Sequence, residues 1–225
     1  MKLTKIIIIL LAFNSCTKSD RKLNAYDYYF PFNDTLSNLE YHYEECFTSN
    51  GVDSMSQSYL RIGKLQANRF SFKRYDAFKH IISKSEFHKT PNCFQVIDDQ
   101  IMIAGMFYKS ELEPNCIYHS NINKQHKLSQ LRTLNGPDFV DSTCTTVIYN
   151  GTEKLDQPFR GEDECLKFSI VQNSNFIFHG QSYLSCDTII IYDLKNIGMY
   201  KLIERHPGHT KTVKLKKITK AHNNS

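Results

Sequence analysis

Two residue types in this chain could carry chemistry by their nature and position, cysteine and histidine. Cys16 follows Ser15 after an apolar run from Ile6 to Phe13, itself preceded by Lys2 and Lys5. A basic start, a short apolar stretch and a small residue before the cut make a secretory signal. A cysteine at that cut offers a thiol that accepts a diacylglycerol and, once freed, an amine that can be acylated. Lipidation of Cys16 with palmitate-type chains is therefore expected, and two or three chains satisfy the condition for stable anchoring. The apolar run is eight residues long, whereas a helix crossing a bilayer needs about 20, so it reads as a signal and not as a span.

Six further cysteines remain: Cys46, Cys93, Cys116, Cys144, Cys165 and Cys186. An even number in an exported chain reads as disulfides, because that compartment is oxidising. Three bridges are expected, and the sequence leaves all fifteen pairings open. The sequential set, Cys46 with Cys93, Cys116 with Cys144 and Cys165 with Cys186, is no more than a guess among them. Zinc is the rival use of the thiols, but no Cys-x-x-Cys pair occurs, and exported thiolates tend to be oxidised.

Of the nine histidines, His206 and His209 form the one close pair, across Pro207-Gly208. They are weak candidates for a metal site, since two imidazoles need a third ligand from elsewhere; a solvated turn is the plainer account. His42 beside Glu44 is a second such pair, set against a merely polar strand face. Glu162-Asp163-Glu164 offers oxygens for calcium but lacks the spacing of a calcium loop, so a solvated turn is the better reading. No His-Glu-x-x-His, Gly-x-Ser-x-Gly, phosphate loop or dinucleotide fingerprint is present. No catalytic residue and no cofactor is implied.

The elements that would position these residues are written as strands. Leu39, Tyr41 and Tyr43 alternate with Glu40, His42 and Glu44, which is a half-buried strand. Comparable runs recur from Ser58 to Ile218, with turn residues between them at Asn50-Gly51, Asp98-Asp99, Asn135-Gly136-Pro137, Asn150-Gly151, Asn173-Ser174-Asn175 and Asn196-Ile197-Gly198. No long helices recur to carry parallel crossovers. The expected fold is mainly β, an antiparallel curved sheet or half-open barrel. One or two short helices are expected within Tyr75 to Ser85 and Lys124 to Leu134. Thirteen Tyr, fifteen Phe and no Trp predict an aromatic core. The tail from Lys211 alternates lysines with Val213, Leu215 and Ile218; an edge strand guarded by lysine is preferred over contact with anionic lipid.

The organisation follows: residues 1–15 a signal peptide, 16–25 a lipidated tether, and 26–220 a single β-rich domain. Loss of Lys2 and Lys5 takes the formal charge from +5 to +3, nearly balanced for this length, which argues against nucleic acid as a partner.

Two segments resemble Bacteroidetes-type envelope lipoproteins. Tyr28-Tyr29-Phe30-Pro31-Phe32 followed by Leu39-Glu40-Tyr41-His42-Tyr43 is similar to their Tyr-Phe-Pro-Leu opening and Trp-x-Tyr first strand, with Tyr41 in place of the Trp. Thr188 to Tyr192 and then Asn196-Ile197-Gly198-Met199-Tyr200-Lys201-Leu202-Ile203 are similar to their closing hairpin of Gly-Val-Gly-Leu-Val-Lys type, with Asn196 or Ile197 replacing the first glycine. The resemblance covers about thirty residues and implies a curved or half-barrel β-domain on a lipid tether in a Gram-negative envelope. It carries over no catalytic residue. Such bacteria also attach O-glycans at Asp-Ser/Thr motifs, which Asp34-Thr35-Leu36, Asp53-Ser54-Met55, Asp141-Ser142-Thr143 and Asp187-Thr188-Ile189 fit.

The expected function is that of a binding or complex-forming module, lipid-anchored in the cell envelope at the outer membrane, whose partner is a lipid, a glycan or a protein. The alternative is an envelope hydrolase with a site assembled from dispersed histidines and carboxylates.

Overall fold

The computed structural model describes residues 23–29, 39–112, 116, 118–119, 121–122 and 127–221. The signal, Cys16 and most of the tether lie outside these residues. The chain runs β1 (Leu23–Asn24), a 3-10 turn (Ala25–Asp27), β2 (Leu39–Ser49), β3 (Val52–Gln66), β4 (Arg69–Tyr75), β5 (Ile81–Lys89), β6 (Cys93–Ile103) and β7 (Met106–Leu112). It continues through β8 (Tyr118–His119), β9 (Asn121–Ile122), β10 (Lys127–Asn135), β11 (Phe139–Phe159), β12 (Glu162–Phe178), β13 (Gln181–Leu194), β14 (Gly198–His206) and β15 (His209–Lys220).

Each long strand pairs antiparallel with its neighbours in the chain, β10 following β7 across the short inserted strands, and β15 returns to β2. The sheet therefore closes into a twelve-strand up-and-down barrel, with β8 added beside β6 and the β1–β9 pair lying apart. Closure satisfies both edges of nearly every strand, which an open sheet cannot do. It also overturns the edge-strand reading of the lysine-rich tail, because β15 is hydrogen-bonded to β14 on one side and β2 on the other.

Among the described residues neither expected helix forms. Ile81 and Ile82 belong to β5, paired to β4 and β6. The turn before β5 is held by the Asp76 carboxylate, which accepts the backbone N–H groups of Phe78 and His80. Phe78, counted in the helical spacing, is 81% exposed. Residues 127–134 form β10. In both places cross-strand pairing overrides a local helical pattern.

Hairpin turns at Asn50-Gly51, Ala104-Gly105, His179-Gly180 and Pro207-Gly208 gather at one end, called here the mouth. At Asn50-Gly51 both residues have positive φ, 49° and 75°, the conformation of a two-residue hairpin that only Asn and Gly adopt cheaply. The opposite end holds Leu39, Lys220 and the N-terminal segment, which folds inward as a plug. Ala25, expected in the tether, is fully buried, and Tyr28 and Tyr29 are 5% exposed. The Tyr29 ring meets Phe94 edge-on at 5.8 Å and stacks on Phe168 at 6.2 Å. The Tyr29 hydroxyl donates to the His119 carbonyl and that of Tyr26 to the Thr90 carbonyl.

Alternation along the strands then divides the interior by height. Towards the plug the inward side chains are Tyr41, Tyr43, Ile62, Phe72, Val147, Phe168, Ile170 and Leu215, all buried. Towards the mouth they are polar and then, at the rim, aromatic.

Candidate functional site

Every strand sends a polar residue into the half of the barrel nearer the mouth. On β2 and β4 these are Glu45 and Arg74, with Lys211 from β15: the Glu45 carboxylate accepts from Arg74 at 2.8 Å and from Lys211 at 2.8 Å. Burial pushes the Glu45 carboxyl up, but the hydrogen bonds from Lys211 and Ser58 and the nearby Arg74 charge prevail and bring it down to about 2. On β5, β6 and β7, Ser85 and Ser110 each donate to Asp99, at 2.7 Å and 2.9 Å. On β10 to β12, Arg132 reaches Asp141 at 3.3 Å, and Thr143 shares a 2.9 Å hydrogen bond with Ser174. Arg132 Nε is buried without a hydrogen-bond partner among the described residues.

Asp187 and Glu204 complete the ring around His206. Its Nδ1 lies 2.5 Å from Asp187 Oδ1 and its Nε2 lies 3.1 Å from Glu204 Oε1. His209 stacks on the His206 ring at 4.4 Å and meets Phe47 in a tilted contact at 4.8 Å. The two histidines thus come together, but the third partners are carboxylates engaged in hydrogen bonding. Among the described residues no group of three or more His, Cys, Asp or Glu has the arrangement to hold a metal ion.

Above this ring the lumen is edged by aromatic side chains that point inward yet stay in solvent: Phe47, Phe176, Phe178 and Tyr183 are 37–52% exposed. Phe176 and Phe178 stack at 6.2 Å with planes 10° apart, and Phe139 bridges Phe176 to Tyr108. Below it, between the two halves, lies a cavity of about 200 Å³ lined by Tyr43, Ser58, Leu60, Arg74, Ile189, Leu202, Glu204, Lys211 and Val213. That is less than the ~300–1,000 Å³ of pockets that engulf a whole ligand. Twelve strands make a barrel wider than the eight-stranded kind that side chains just fill, and the polar ring occupies the extra width.

The remaining sequence candidates fall elsewhere. Cys93 is joined to Cys116, which replaces the sequential pairing and ties the β7–β10 insertion to the start of β6. Cys46, Cys144, Cys165 and Cys186 carry free thiols. Cys144 and Cys186 share the outer face, but both are opposite Asn173, so a whole strand separates them by roughly 9–10 Å, beyond bridging reach. Cys165 is buried, and burial pushes its thiol up to about 11.

His42 pairs with Glu40 at 3.2 Å and with Thr219, and Glu44 is taken by Lys216. Glu40 is itself buried beneath Arg61 and Lys79. Of the acidic trio, Glu164 accepts from Tyr28 and Glu162 from Asn196, so these residues fasten the plug and a neighbouring turn. Ser54 of the glycan-type motifs is exposed next to the β2–β3 turn, while Asp141 and Asp187 are lumen residues. Asp34-Thr35-Leu36 lies outside the described residues.

Sequence reasoning missed the polar ring itself. Asp99 reads as a turn residue, Ser85, Gln130 and Arg132 fall within the stretches expected to be helical, and only ring closure shows that these, with Thr143, Gln172 and Glu204, point inward.

No family model and no curated protein matches the chain. Among solved structures, the chain is similar to a candidate lipoprotein from Parabacteroides distasonis, with a TM-score of 0.48, 8% identity, and coverage of 85% of this chain and 99% of that one. It is also similar to a candidate exported protein with a YmcC-like fold from Bacteroides fragilis (0.41, 10%, 86% and 100%). A third is a LolA superfamily protein from Nitrosomonas europaea (0.35, 10%, 90% and 92%). The functional reading rests on this chain's own side chains.

Proposed function

We propose that this chain is an envelope lipoprotein of the Bacteroidetes type, anchored through Cys16, whose barrel is a binding module for a glycan that enters at the mouth. The observation that supports the reading is the polar half of the lumen beneath an aromatic rim. Sugar rings present hydroxyls around their edges and C–H faces above and below; the first match Asp99, Gln130, Arg132, Gln172 and Asp187, the second match Phe176, Phe178 and Tyr183.

An acyl chain fits this lumen poorly. Burying one would strip water from the polar ring and return no hydrogen bonds, at roughly 1–3 kcal/mol for each group left unsatisfied. The cavity below the ring admits one end of a ligand only, so a chain of sugar units would lie mainly across the rim.

The hydrolase alternative finds its best residue in His206. Both of its ring nitrogens are already engaged by Asp187 and Glu204, so neither is turned towards a substrate, and binding is the reading carried forward.

The test is direct titration with soluble envelope-type oligosaccharides, alongside a fluorescent fatty acid, of the wild type and of Phe178→Ala with Tyr183→Ala. Oligosaccharide binding that weakens at least ten-fold in the variant, at unchanged thermal stability, supports the proposal. Fatty-acid binding without oligosaccharide binding would falsify it.

A further inference from the structure

A second concavity lies on the outer wall, away from the mouth. Between Lys154 and Phe159 the register of β11 on β12 breaks, and the displaced residues overhang β13, β14 and β15. The groove beneath is about 400 Å³ and includes Tyr192, Tyr200, Lys201 and Lys214. Lys201 and Lys214 are directly opposite each other on β14 and β15, on the outward face because their neighbours Leu202 and Val213 point into the barrel.

Like charges directly opposite on adjacent strands destabilise a sheet; Lys214 also has Glu44 opposite it on β2. Among the described residues neither lysine forms an ion pair. The acids that might serve are committed: Glu153 to Lys167 at 2.8 Å, and Glu44 to Lys216 at 2.7 Å. Asp156 stands on the overhang, across the groove. Each amine instead lies over a tyrosine ring, Lys201 at 5.6 Å from the centre of Tyr192 and Lys214 at 5.8 Å from that of Tyr200. Cation–π contact holds the cations in the groove without neutralising them.

We propose that this groove binds a phosphate group, as a phosphomonoester or phosphodiester, between Lys201 and Lys214, with the tyrosine rings against the group that carries the phosphate. A single anion shared by the two ammoniums removes their repulsion. The charge comes from one of two sources, a soluble phosphorylated compound or a phospholipid headgroup. The site is independent of the glycan reading, since it shares no residue with the polar lumen ring.

Lysine acetylation footprinting of the full lipidated chain tests it, with mass spectrometry reading Lys201, Lys214 and, as a control on another wall, Lys84, which lies over Phe107. The probes are inorganic phosphate, glycerol phosphate, and vesicles of phosphatidylcholine with or without phosphatidylglycerol, against chloride at equal ionic strength. A five-fold or greater loss of modification at Lys201 and Lys214, with Lys84 unchanged, is expected. Protection by the soluble phosphates assigns a soluble source; protection by the anionic vesicles alone assigns a headgroup. The companion variant Lys214→Gln, which avoids placing a carboxylate opposite Glu44, should abolish protection of Lys201. Equal modification with every probe, or equal protection of Lys84, overturns the site.

Discussion

The hydroxyl of Tyr28 donates a 2.7 Å hydrogen bond to Glu164 across 136 residues of chain. Through it the N-terminal segment is fastened to the start of β12, and the segment's rings fill the plugged end of the barrel. Tyr29→Ala should therefore cost about 3–5 kcal/mol, the range for emptying a large aromatic site in a core. Urea unfolding measures it, and a loss below about 1 kcal/mol would show that the segment lies on the barrel without supporting it.

Asp193 makes stability depend on pH in the alkaline direction. It is 7% exposed, and burial pushes its carboxyl up to about 8. The unfolded chain ionises near the ordinary value of about 4, so the contribution is fully present below that value and is lost as pH rises through about 8. Over that window the slope is about 1.4 kcal/mol per pH unit for one proton. Asp193→Asn should flatten thermal stability between pH 5 and 8; curves that stay parallel to wild type would refute the assignment.

Glu45 acts with the opposite sign. Its carboxyl is brought down to about 2 by Lys211, Ser58 and Arg74 against the effect of burial. Its contribution is present above the ordinary carboxylate range and is lost as pH falls towards 2. Glu45→Gln should cost about 2–4 kcal/mol at pH 7, because it leaves two cations facing a partly dry lumen, and much less at pH 2. Equal losses at both pH values would contradict the ion-pair account.

The free thiols should divide by depth. Cys144 and Cys186 are exposed, Cys46 is half-buried and Cys165 is buried. Maleimide should label Cys144 and Cys186 within minutes in the native protein, Cys46 more slowly, and Cys165 only on unfolding. Fast native labelling at Cys165 would mean that the outer wall opens near the start of β12.

The β-rich fold was legible because alternation survives in sequence: Tyr41 and Tyr43 are buried as their period-two spacing predicts. Turns were legible where Asn precedes Gly, as at Asn50-Gly51. They were missed where the first turn residue is Ala104 or His179, both at positive φ, since neither residue type announces that conformation. Asn150-Gly151 reads as a turn but lies at a break in register within β11, and Asp98-Asp99 lies within β6, paired to β5. Alternation shows that a residue has two faces to choose from and does not show which face is inside a closed ring. Glu204 therefore reads as an ordinary polar position, His206 as half of a turn pair and Arg132 as part of a short helix. The opposite error occurred with Glu40, an outward residue that Arg61 and Lys79 cover.

The joining of β2 to β15 also governs when this protein can fold. Tyr41 is opposite Ile218, so the ring has no complete wall until the last strand has left the ribosome. Pairings this distant in sequence form slowly, and until they form both β2 and β14 present open edges. A chain that stops short of Thr210 would keep those edges permanently and be exposed to association with its own kind. The dozen residues of β15 thus decide whether the rest of the polypeptide becomes a closed particle or a seed for aggregation.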